Sequence, residues 1–269
     1  LFNPWTDALE RSRVLHLFGM SVEGLELARR AKAVGTPIVL SPIYWSEPAA
    51  IWNLEPTLTR KLRGLTAYAA RRVLNRLGGW RRELLMLSDR ILPNSAAEAR
   101  MLTQIFRVAP DRISVVPNGV LEQFRHASPT LFRERFGDRD FVLFVGRIEP
   151  RKNPLGLIRA TRELDLPLVI VGDPPAMAQD YYEKCQAMGG SRVTWLAAWD
   201  HDHPLLASAY AAARVFALPS WFETPSLSAL EAAIAGTSVV ITPYGSAREY
   251  FGDRVEYARP NRETEIAAA

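Results

Sequence analysis

Short runs of apolar residues alternate with helical patterns along almost the whole of this chain. Leu168–Val171, for example, is a buried-strand pattern that ends at Gly172, and a helical pattern follows it. This alternation is typical of parallel α/β sheets, whose strands are covered by helices on both faces. With 269 residues, the chain is long enough for one large domain or two modest ones, each with its own core.

The predicted strands fall into two series, separated by the turn signal Pro117-Asn118-Gly119. The first series is predicted at Arg13–Phe18, Pro37–Leu40, Arg90–Pro93 and Ile113–Val116. The second series is predicted at Phe141–Val145, Leu168–Val171, Val193–Leu196, Val215–Leu218 and Ser238–Thr242. We therefore divide the chain into an N-terminal domain, residues 1–120, and a C-terminal domain, residues 121–269.

Both ends of the chain suggest a partial protein. The first series has four strands, fewer than the about 5–6 of a typical doubly wound sheet. The chain begins at Leu1 rather than Met, and it ends at Ala269 inside a helical pattern that has no C-cap. We expect the N-terminal domain and the C-terminus to be truncated.

The composition narrows the class of protein. The single cysteine, Cys185, excludes an intramolecular disulfide and is predicted to be a packing residue. No apolar run of about 18 residues is present, and no signal peptide pattern appears at the start. These features favour a cytoplasmic protein.

The segment Val215–Gly236 carries the strongest chemical signal. A buried strand leads into a loop with Glu223, and a helix is predicted to begin with Thr224 as N-cap and Pro225 as its first residue. The free N–H groups of Ser226 and Leu227 at that helix start are predicted to donate hydrogen bonds to a phosphate. Glu231 would lie ~9 Å further along the helix axis.

Carboxylates on either side of an anion site accept hydrogen bonds from hydroxyl groups, which matches the layout of a nucleoside diphosphate sugar. The simpler interpretation is that Glu223 and Glu231 are both solvated surface residues. A second loop, after the strand Phe141–Val145, supplies the opposite charge through Gly146, Arg147 and Lys152. Arg147 suits bidentate phosphate binding, and Lys152 adds a point charge. The neighbouring Arg151 is predicted to be a solvated loop residue.

Glu223 and Glu231 have the E-x7-E spacing of the large retaining glycosyltransferase family 4, which this chain resembles. VVPNGV around Asn118 is similar to that family's interdomain junction. FVGRIEPRKNP is similar to its phosphate-binding loop, and PSWFETPSLSALEAAIAGTSVVIT to its donor-site signature. The resemblance implies the GT-B architecture, an α/β fold with two Rossmann-like domains facing across a cleft.

The resemblance also implies roles for individual residues. Arg147 and Lys152 would contact the diphosphate beside Gly146, and Glu223 would bind the hydroxyls of the transferred sugar. The residues that would hold the rest of the donor are Glu231 at the ribose, Ser226 and Leu227 at the phosphates, and Leu196 to Trp199 beside the nucleobase. Members of the family retain the anomeric configuration and generally act with no bound metal or cofactor.

The chain departs from the family pattern in its N-terminal half. The glycine-rich loop that usually follows the first strand is absent, and Val39–Trp45 lacks the histidine found there in many members. Ser41 or Tyr44 is a candidate replacement, and His16 is either a pocket residue or a structural one. We therefore expect little or no turnover from the chain as given.

Two further stretches have function-like compositions. Asp200-His201-Asp202-His203 contains metal-ligand residue types, but neighbouring loop residues rarely converge on one ion, so a polar loop is predicted. Residues 58–82 contain eight basic residues and no acidic one. That segment is either a solvated helix face or a surface that docks on an anionic membrane. Nucleic acid is disfavoured because aromatic residues are not interleaved with the basic ones.

The sequence thus predicts a metal-independent retaining glycosyltransferase, which moves a sugar from a nucleoside diphosphate to a glycan or lipid-linked acceptor. Two alternatives stay open: a GT-B nucleotide-sugar epimerase, and a non-catalytic protein that only binds the nucleotide sugar.

Overall fold

The computed structural model describes residues 9–46, 48–55 and 57–269. By its internal contacts the chain divides into two compact units, Leu1–Asn118 and Gly119–Ala269. No helix in the described part of the chain is both long and apolar enough to cross a membrane.

The first unit contains a three-stranded parallel sheet in the order β1-β2-β3. Its strands are β1 (Leu15–Phe18), β2 (Ile38–Ser41) and β3 (Arg90–Ile91). Its helices are α1 (Val22–Ala33), α2 (Pro48–Leu54), α3 (Leu58–Leu77), α4 (Trp80–Leu87) and α5 (Ala96–Phe106). Short 3-10 turns occupy Leu9–Arg11 and Pro110–Arg112.

Helix boundaries in the first unit follow the capping residues that the sequence indicates. The Ser21 hydroxyl accepts the Gly24 N–H at 2.9 Å and starts α1, and Ser95 caps α5 through the Glu98 N–H at 3.0 Å. The long helical pattern breaks at Gly78-Gly79 as predicted, because Gly79 has φ +95° and α4 begins after it.

The fourth predicted strand of this unit, Ile113–Val116, is wrong. Ile113 forms only an isolated bridge to Ile91, and Val116 donates its N–H to the Pro93 carbonyl at 2.9 Å. Pro93 has no N–H to return, so the pairing with β3 cannot extend into a ladder.

The second unit contains a six-stranded parallel sheet in the order β6-β5-β4-β7-β8-β9. Its strands are β4 (Val142–Val145), β5 (Leu168–Val171), β6 (Val193–Leu196), β7 (Val215–Leu218), β8 (Ser238–Ile241) and β9 (Glu256–Tyr257). Its helices are α6 (Thr130–Phe136), α7 (Pro154–Ala160), α8 (Gln179–Gly189), α9 (Pro204–Ala212), α10 (Leu227–Ile234), α11 (Ala247–Phe251) and α12 (Glu263–Ala268). Its 3-10 turns are Glu122–His126, Ala176–Ala178 and Gly190–Arg192.

This strand order creates one reversal point in the sheet. The chain moves outward from β4 to β6 and then crosses back to place β7 on the other side of β4. In doubly wound sheets, ligands bind outside the carboxyl ends of the strands at such a point. The loops after β4 and β7 are therefore the ones to examine for a site.

The buried core of the second unit supports the strands whose carboxyl ends form this edge of the sheet. All four residues of β5 are buried, as expected of a parallel strand covered on both faces. Large rings fill the space beneath the helices, including the fully buried Phe144, Phe216 and Tyr210. Cys185 is also fully buried in this core, so the predicted packing role is confirmed.

Candidate functional site

The loops that follow β4 and β7 are fastened to each other by backbone contacts. The Trp221 N–H donates to the Arg151 carbonyl at 2.9 Å. Asn153, buried at the start of α7 in the left-handed conformation, donates from its side-chain amide to the Pro219 carbonyl at 3.1 Å. This fastening brings the predicted basic loop and the predicted acidic loop to one edge of the sheet.

Lys152 and Glu223, which lie 71 residues apart in the chain, form a direct ion pair. The Lys152 Nζ atom is 2.8 Å from Glu223 Oε1 and 3.0 Å from Oε2. The Glu223 side chain is only 4% exposed, and that of Lys152 only 13%. Burial lowers the pKa of Lys152, and the Glu223 carboxylate opposes this effect by stabilising the charged amine. The structure thus joins two of the predicted catalytic residues.

The backbone of Glu223 is held by the loop after β8. Ser246 donates its N–H to the Glu223 carbonyl at 2.8 Å, and Glu223 donates its own N–H to Tyr244 at 3.3 Å. Gly245 lies between these contacts with φ +91°, and a Cβ atom there would be 2.0 Å from the Glu223 carbonyl oxygen. Only glycine fits this position, which the sequence alone did not single out.

Arg147 is placed at the same edge but is not part of the buried pair. Its side chain is 63% exposed, and its Nη2 atom is 3.3 Å from Glu149 Oε1. Arg151, predicted to be solvated, is instead largely buried: it pairs with the same Glu149 oxygen at 3.0 Å and is 3.7 Å from Glu223 Oε1. The prediction for Arg151 was wrong because the fastened loop brings its guanidinium to these carboxylates.

A cavity of about 280 Å³ adjoins this basic loop. Gly146, Arg147 and Trp199 all line it, together with Asp173. The Trp199 ring is stacked on His203, with ring centroids 5.6 Å apart and an interplanar angle of 13°. Leu196, also predicted beside the base, is the last residue of β6 and is partly buried against the core.

Glu231 lies on α10 in a second polar cluster. Its side chain is 5% exposed, and its two oxygens have separate partners: the Tyr210 hydroxyl donates to Oε2 at 2.8 Å, and His201 Nδ1 is 3.2 Å from Oε1. Burial raises the pKa of Glu231, while the Tyr210 hydrogen bond and the nearby His201 act against that rise. Within the described residues, no hydrogen bond or ion pair joins Glu231 to Glu223, Arg147 or Lys152.

The start of α10 corrects the predicted helix boundary. The helix begins at Leu227 rather than Pro225, and its N-cap is Ser226, whose hydroxyl accepts the Ala229 N–H at 3.3 Å. Thr224 is therefore not the N-cap. The residue before a proline favours extended backbone, and the contacts of Glu223 with the loop after β8 hold the chain away from the helix at this point.

This later start moves the available anion donors by one residue. Ser226 is the buried N-cap itself, so the first helical N–H groups are those of Leu227 and Ser228. Glu231 is four residues beyond Leu227, so it lies ~6 Å along the axis from the helix start rather than ~9 Å. The carboxylate is closer to the N-terminus of α10 than predicted.

Known protein families match residues in both units of the chain. The family described as Glycosyl transferases group 1 matches residues 131–269, more than half of the chain. The chain belongs to this family. A second family, described as Glycosyltransferase Family 4, matches residues 9–123, which lie in the first unit except for the last five. The predicted membership is therefore confirmed.

Curated relatives of this family member share its sequence over part of their length. The D-inositol 3-phosphate glycosyltransferase of Mycolicibacterium paratuberculosis is 36% identical over 168 residues, which cover 59% of this chain and 38% of the relative. That of Frankia alni is 33% identical over 189 residues, which cover 64% and 46%. The chain spans less than half the length of either relative.

Solved structures share the fold. Sucrose-phosphate synthase from Thermosynechococcus elongatus matches with a TM-score of 0.74 and 20% identity, covering 96% of this chain and 63% of that one. Anabaena Alr3699/HepE, solved in complex with UDP, matches with a TM-score of 0.70 and 20% identity, covering 94% and 67%. The predicted GT-B fold class, with Rossmann-like parallel sheets, is confirmed.

Two residues of the Glu231 cluster, Tyr210 and His201, were not predicted from the sequence as its partners. Tyr210 is the one hydroxyl-bearing ring in the alanine-rich helix α9, and a buried phenol needs a partner, so this signal was available. His201 was considered only as a metal ligand in the segment 200–203. The ring of Phe124 packs against both, with centroids 5.7 Å from Tyr210 and 5.3 Å from His201.

Of the two candidates for the place of the missing histidine, Ser41 is the last residue of β2 and Tyr44 follows three residues later, whereas His16 is the second residue of β1. His16 is exposed, and its Nε2 atom is 3.0 Å from the Ser41 hydroxyl. Its ring also lies 4.1 Å from the ring of Phe18. Tyr44 donates its backbone N–H to the buried Glu98 carboxylate at 2.6 Å, which fixes the segment after β2. Because its side chain is exposed, His16 is a surface residue rather than a core one.

Proposed function

We propose that this chain binds a nucleoside diphosphate sugar at the carboxyl edge of its second sheet and transfers the sugar to a glycan or lipid-linked acceptor. The proposal includes retention of the anomeric configuration and no requirement for a metal ion. The observation that carries it is the buried Lys152–Glu223 pair, which lies directly before the start of α10 and on the same edge as Arg147. Family membership supports the reaction class.

Each charged group of the proposed donor site has a proposed role in the transfer. The acceptor oxygen bonds to the anomeric carbon while the bond to the diphosphate breaks, and negative charge develops on the leaving phosphates. Arg147, Lys152 and the free N–H groups at the start of α10 are suited to stabilise that charge in the way a metal does elsewhere. Glu223 and Glu231 are suited to accept hydrogen bonds from sugar and ribose hydroxyls.

The most informative probe is UDP, because the fold relative Alr3699/HepE is described in complex with UDP and with UDP-glucose. We expect UDP to raise the melting temperature of the 269-residue chain. A ligand at 100 times its Kd stabilises by about 2.7 kcal/mol, and Arg147→Ala or Glu231→Ala should abolish most of that gain.

Matched controls are available in the same unit. Glu163 and Arg139 are exposed residues for which no ion pair is found among the described residues, and Glu163→Ala and Arg139→Ala should respond to UDP like the wild type. If UDP stabilises all five proteins equally, or none of them, the proposed donor site is wrong.

Product analysis separates the transfer from its alternatives. Because little turnover is expected from this chain, the assay needs long incubation. UDP-glucose with D-inositol 3-phosphate, the substrate that the curated relatives are named for, should release UDP slowly and only when both are present, and addition of EDTA should leave the rate unchanged. The anomeric configuration of the product, measured by NMR, should match that of the donor. UDP release from the donor alone would instead favour an epimerase, and binding without release would favour a non-catalytic protein.

An anionic membrane is the partner we propose for residues 58–82. On α3, Leu62, Val73 and Leu77 are 52%, 56% and 79% exposed, and they lie along one stripe of the helix because Val73 is about three turns after Leu62 and Leu77 about one turn after Val73. The same helix carries several arginines and no acidic residue. An exposed apolar stripe with flanking cations is the pattern of a helix that lies in a membrane interface.

A further inference from the structure

The carboxylate of Glu231 is contacted on both of its oxygens by side chains of the same unit. Tyr210, in the last turn of α9, donates its hydroxyl to Oε2 at 2.8 Å. His201, in the loop before α9, places its Nδ1 atom 3.2 Å from Oε1. The terminal torsion of a free glutamate side chain is broad. Two contacts from different directions restrict that torsion, so the orientation of this carboxylate is set by its neighbours.

The Tyr210 ring is itself fixed in the core of the second unit. It is fully buried, and its centroid lies 5.7 Å from that of Phe124 and 5.9 Å from that of Phe216. Among the described residues, the hydrogen bond to Glu231 is the one that its hydroxyl forms. An ionised carboxylate only accepts hydrogen bonds, so the phenol is the donor. Tyr210 is thus a rigid anchor for Oε2.

His201 contacts the carboxylate from the solvent side. Its side chain is 51% exposed, and its ring packs against Phe124 with the centroids 5.3 Å apart. Phe124 therefore supports both of the rings that contact Glu231. A histidine donates from Nδ1 when it is protonated on both nitrogens or is in the matching neutral tautomer. In either form, His201 is suited to hold Oε1.

These two contacts leave part of the carboxylate free to accept. An ionised carboxylate has about four acceptor positions, divided between its two oxygens. Tyr210 and His201 each use one position, so one position remains on each oxygen of Glu231. The vicinal hydroxyls of a ribose, at its 2′ and 3′ carbons, supply one donor for each of those positions. A 2′-deoxyribose supplies only one donor in all.

We propose that Tyr210 and His201 are positioning residues, which orient Glu231 so that it accepts both hydroxyls of a ribose and discriminates against 2′-deoxyribose. This inference rests on the proposed donor site, in which Glu231 binds the ribose. Tyr210 and His201 act through the carboxylate rather than on the nucleotide itself. The preference for ribose should therefore depend on both residues, whereas binding of the diphosphate should not.

The test is calorimetric titration of the 269-residue chain with UDP and with 2′-deoxy-UDP. We expect the wild type to bind UDP at least about tenfold more tightly, because 2′-deoxy-UDP lacks one hydrogen bond to a charged group. Tyr210→Phe removes only the phenolic oxygen and should reduce this ratio to about threefold or less, chiefly by weakening UDP. His201→Ala should reduce the ratio in the same way. His201→Asn, which keeps an N–H close to the position of Nδ1, should restore most of it.

Tyr181→Phe is a matched control for the loss of a phenolic oxygen. The Tyr181 hydroxyl accepts the Leu155 N–H at 3.3 Å, in a contact that does not include Glu231. This variant should keep the ratio of the wild type. A merely structural role for Tyr210 or His201 would weaken both nucleotides by the same factor. An unchanged ratio in Tyr210→Phe or in His201→Ala would therefore overturn the proposal for that residue.

Failure of the proposed donor site would give a different result. If UDP does not bind to the wild type, the donor site is wrong and the positioning role is overturned with it. If the wild type binds UDP and 2′-deoxy-UDP equally, and Arg147→Ala abolishes binding of both, the donor site stands. In that case only the discrimination between the two sugars, and with it the role of Tyr210 and His201, is overturned.

Discussion

Two buried carboxylates in the second unit are stabilised in different ways. Glu223 has a cationic partner, Lys152, at 2.8 Å, so its charge is compensated inside the protein. Glu231 depends on the neutral Tyr210 hydroxyl and on His201, whose side chain is half exposed. A buried charge without a full ionic partner destabilises the unliganded protein. We therefore expect the Glu231 carboxylate to lower the stability of the unliganded chain, in keeping with the donor-binding role proposed for it.

We expect Glu231→Gln to raise the stability of the unliganded chain at neutral pH and to weaken UDP binding by about tenfold. The amide keeps a hydrogen-bond acceptor for Tyr210 but removes the buried charge. Urea unfolding and UDP titration of the same samples measure the two effects. A variant that is less stable than the wild type at neutral pH would show that the charge of Glu231 is fully compensated.

The pH dependence follows from the direction of the pKa shift. Burial raises the pKa of Glu231 above its ordinary value of 4.5, so the folded protein holds this proton more tightly than the unfolded chain. The contribution of protonated Glu231 to stability is fully present below pH 4.5 and is lost as the pH rises through the raised pKa. The stability advantage of Glu231→Gln should therefore shrink as the pH falls toward 4.5.

At the scale of elements, the site depends on how closely the loops after β7 and β8 approach. Gly245→Ala would place its Cβ 2.0 Å from the Glu223 carbonyl oxygen, in backbone with φ +91°. We expect a loss of about 2 kcal/mol or more, together with loss of UDP binding, because the clash displaces Glu223.

Gly236→Ala is a matched control for this prediction. Gly236 also has positive φ, +88°, but a Cβ there has no atom within 4 Å. It should lose only about 1 kcal/mol for the left-handed backbone and should keep UDP binding. Equal destabilisation of the two variants by urea unfolding would mean that the contact with Glu223 contributes nothing.

The sequence was most informative where an element is buried on both faces. The strands Leu168–Val171 and Val215–Leu218 were predicted to the residue, because continuous apolar runs between turn residues leave little choice of boundary. The edge strand Val193–Leu196, in which Thr194 is exposed, was also predicted to the residue. The short elements Thr130–Phe136, Ala247–Phe251 and Glu256–Tyr257 were not predicted. Each is too short to show a period, so neighbouring elements determine its conformation.

The candidate site, too, was predicted only in part from the sequence. The alternation of strands and helices was enough to place Lys152 and Glu223 on one edge, since consecutive parallel strands end at the same edge. The partners of Glu231 could not be assigned, because Tyr210 comes from the last turn of α9 and His201 from a loop. Helix packing brings them together, and no local pattern encodes that contact.

At the scale of the whole molecule, the net charge of +4 is modest, but its distribution is uneven. Residues 58–82 hold eight basic residues and no acidic one, so the positive charge of this stretch alone exceeds the net charge of +4 of the entire chain. Such concentrated charge adds about 1 kcal/mol per basic residue near an anionic surface.

We expect the chain to sediment with vesicles of phosphatidylglycerol and not with vesicles of phosphatidylcholine alone. Binding should fall as salt is raised, because screening shortens the reach of the arginines. Leu62→Gln combined with Val73→Gln should reduce binding by removing the exposed apolar contacts on α3. Matched changes at Leu131, an exposed leucine of the second unit, should have no effect, and equal binding by all proteins would exclude this surface.

The shared carboxylate of Glu149 has a consequence for ligand entry. Its Oε1 atom contacts Arg147 at 3.3 Å and Arg151 at 3.0 Å. In the proposed complex, a diphosphate would bind the exposed Arg147, and Glu149 would keep its ion pair with Arg151. The unliganded loop can thus release Arg147 to an anion while Arg151 remains paired with Glu149.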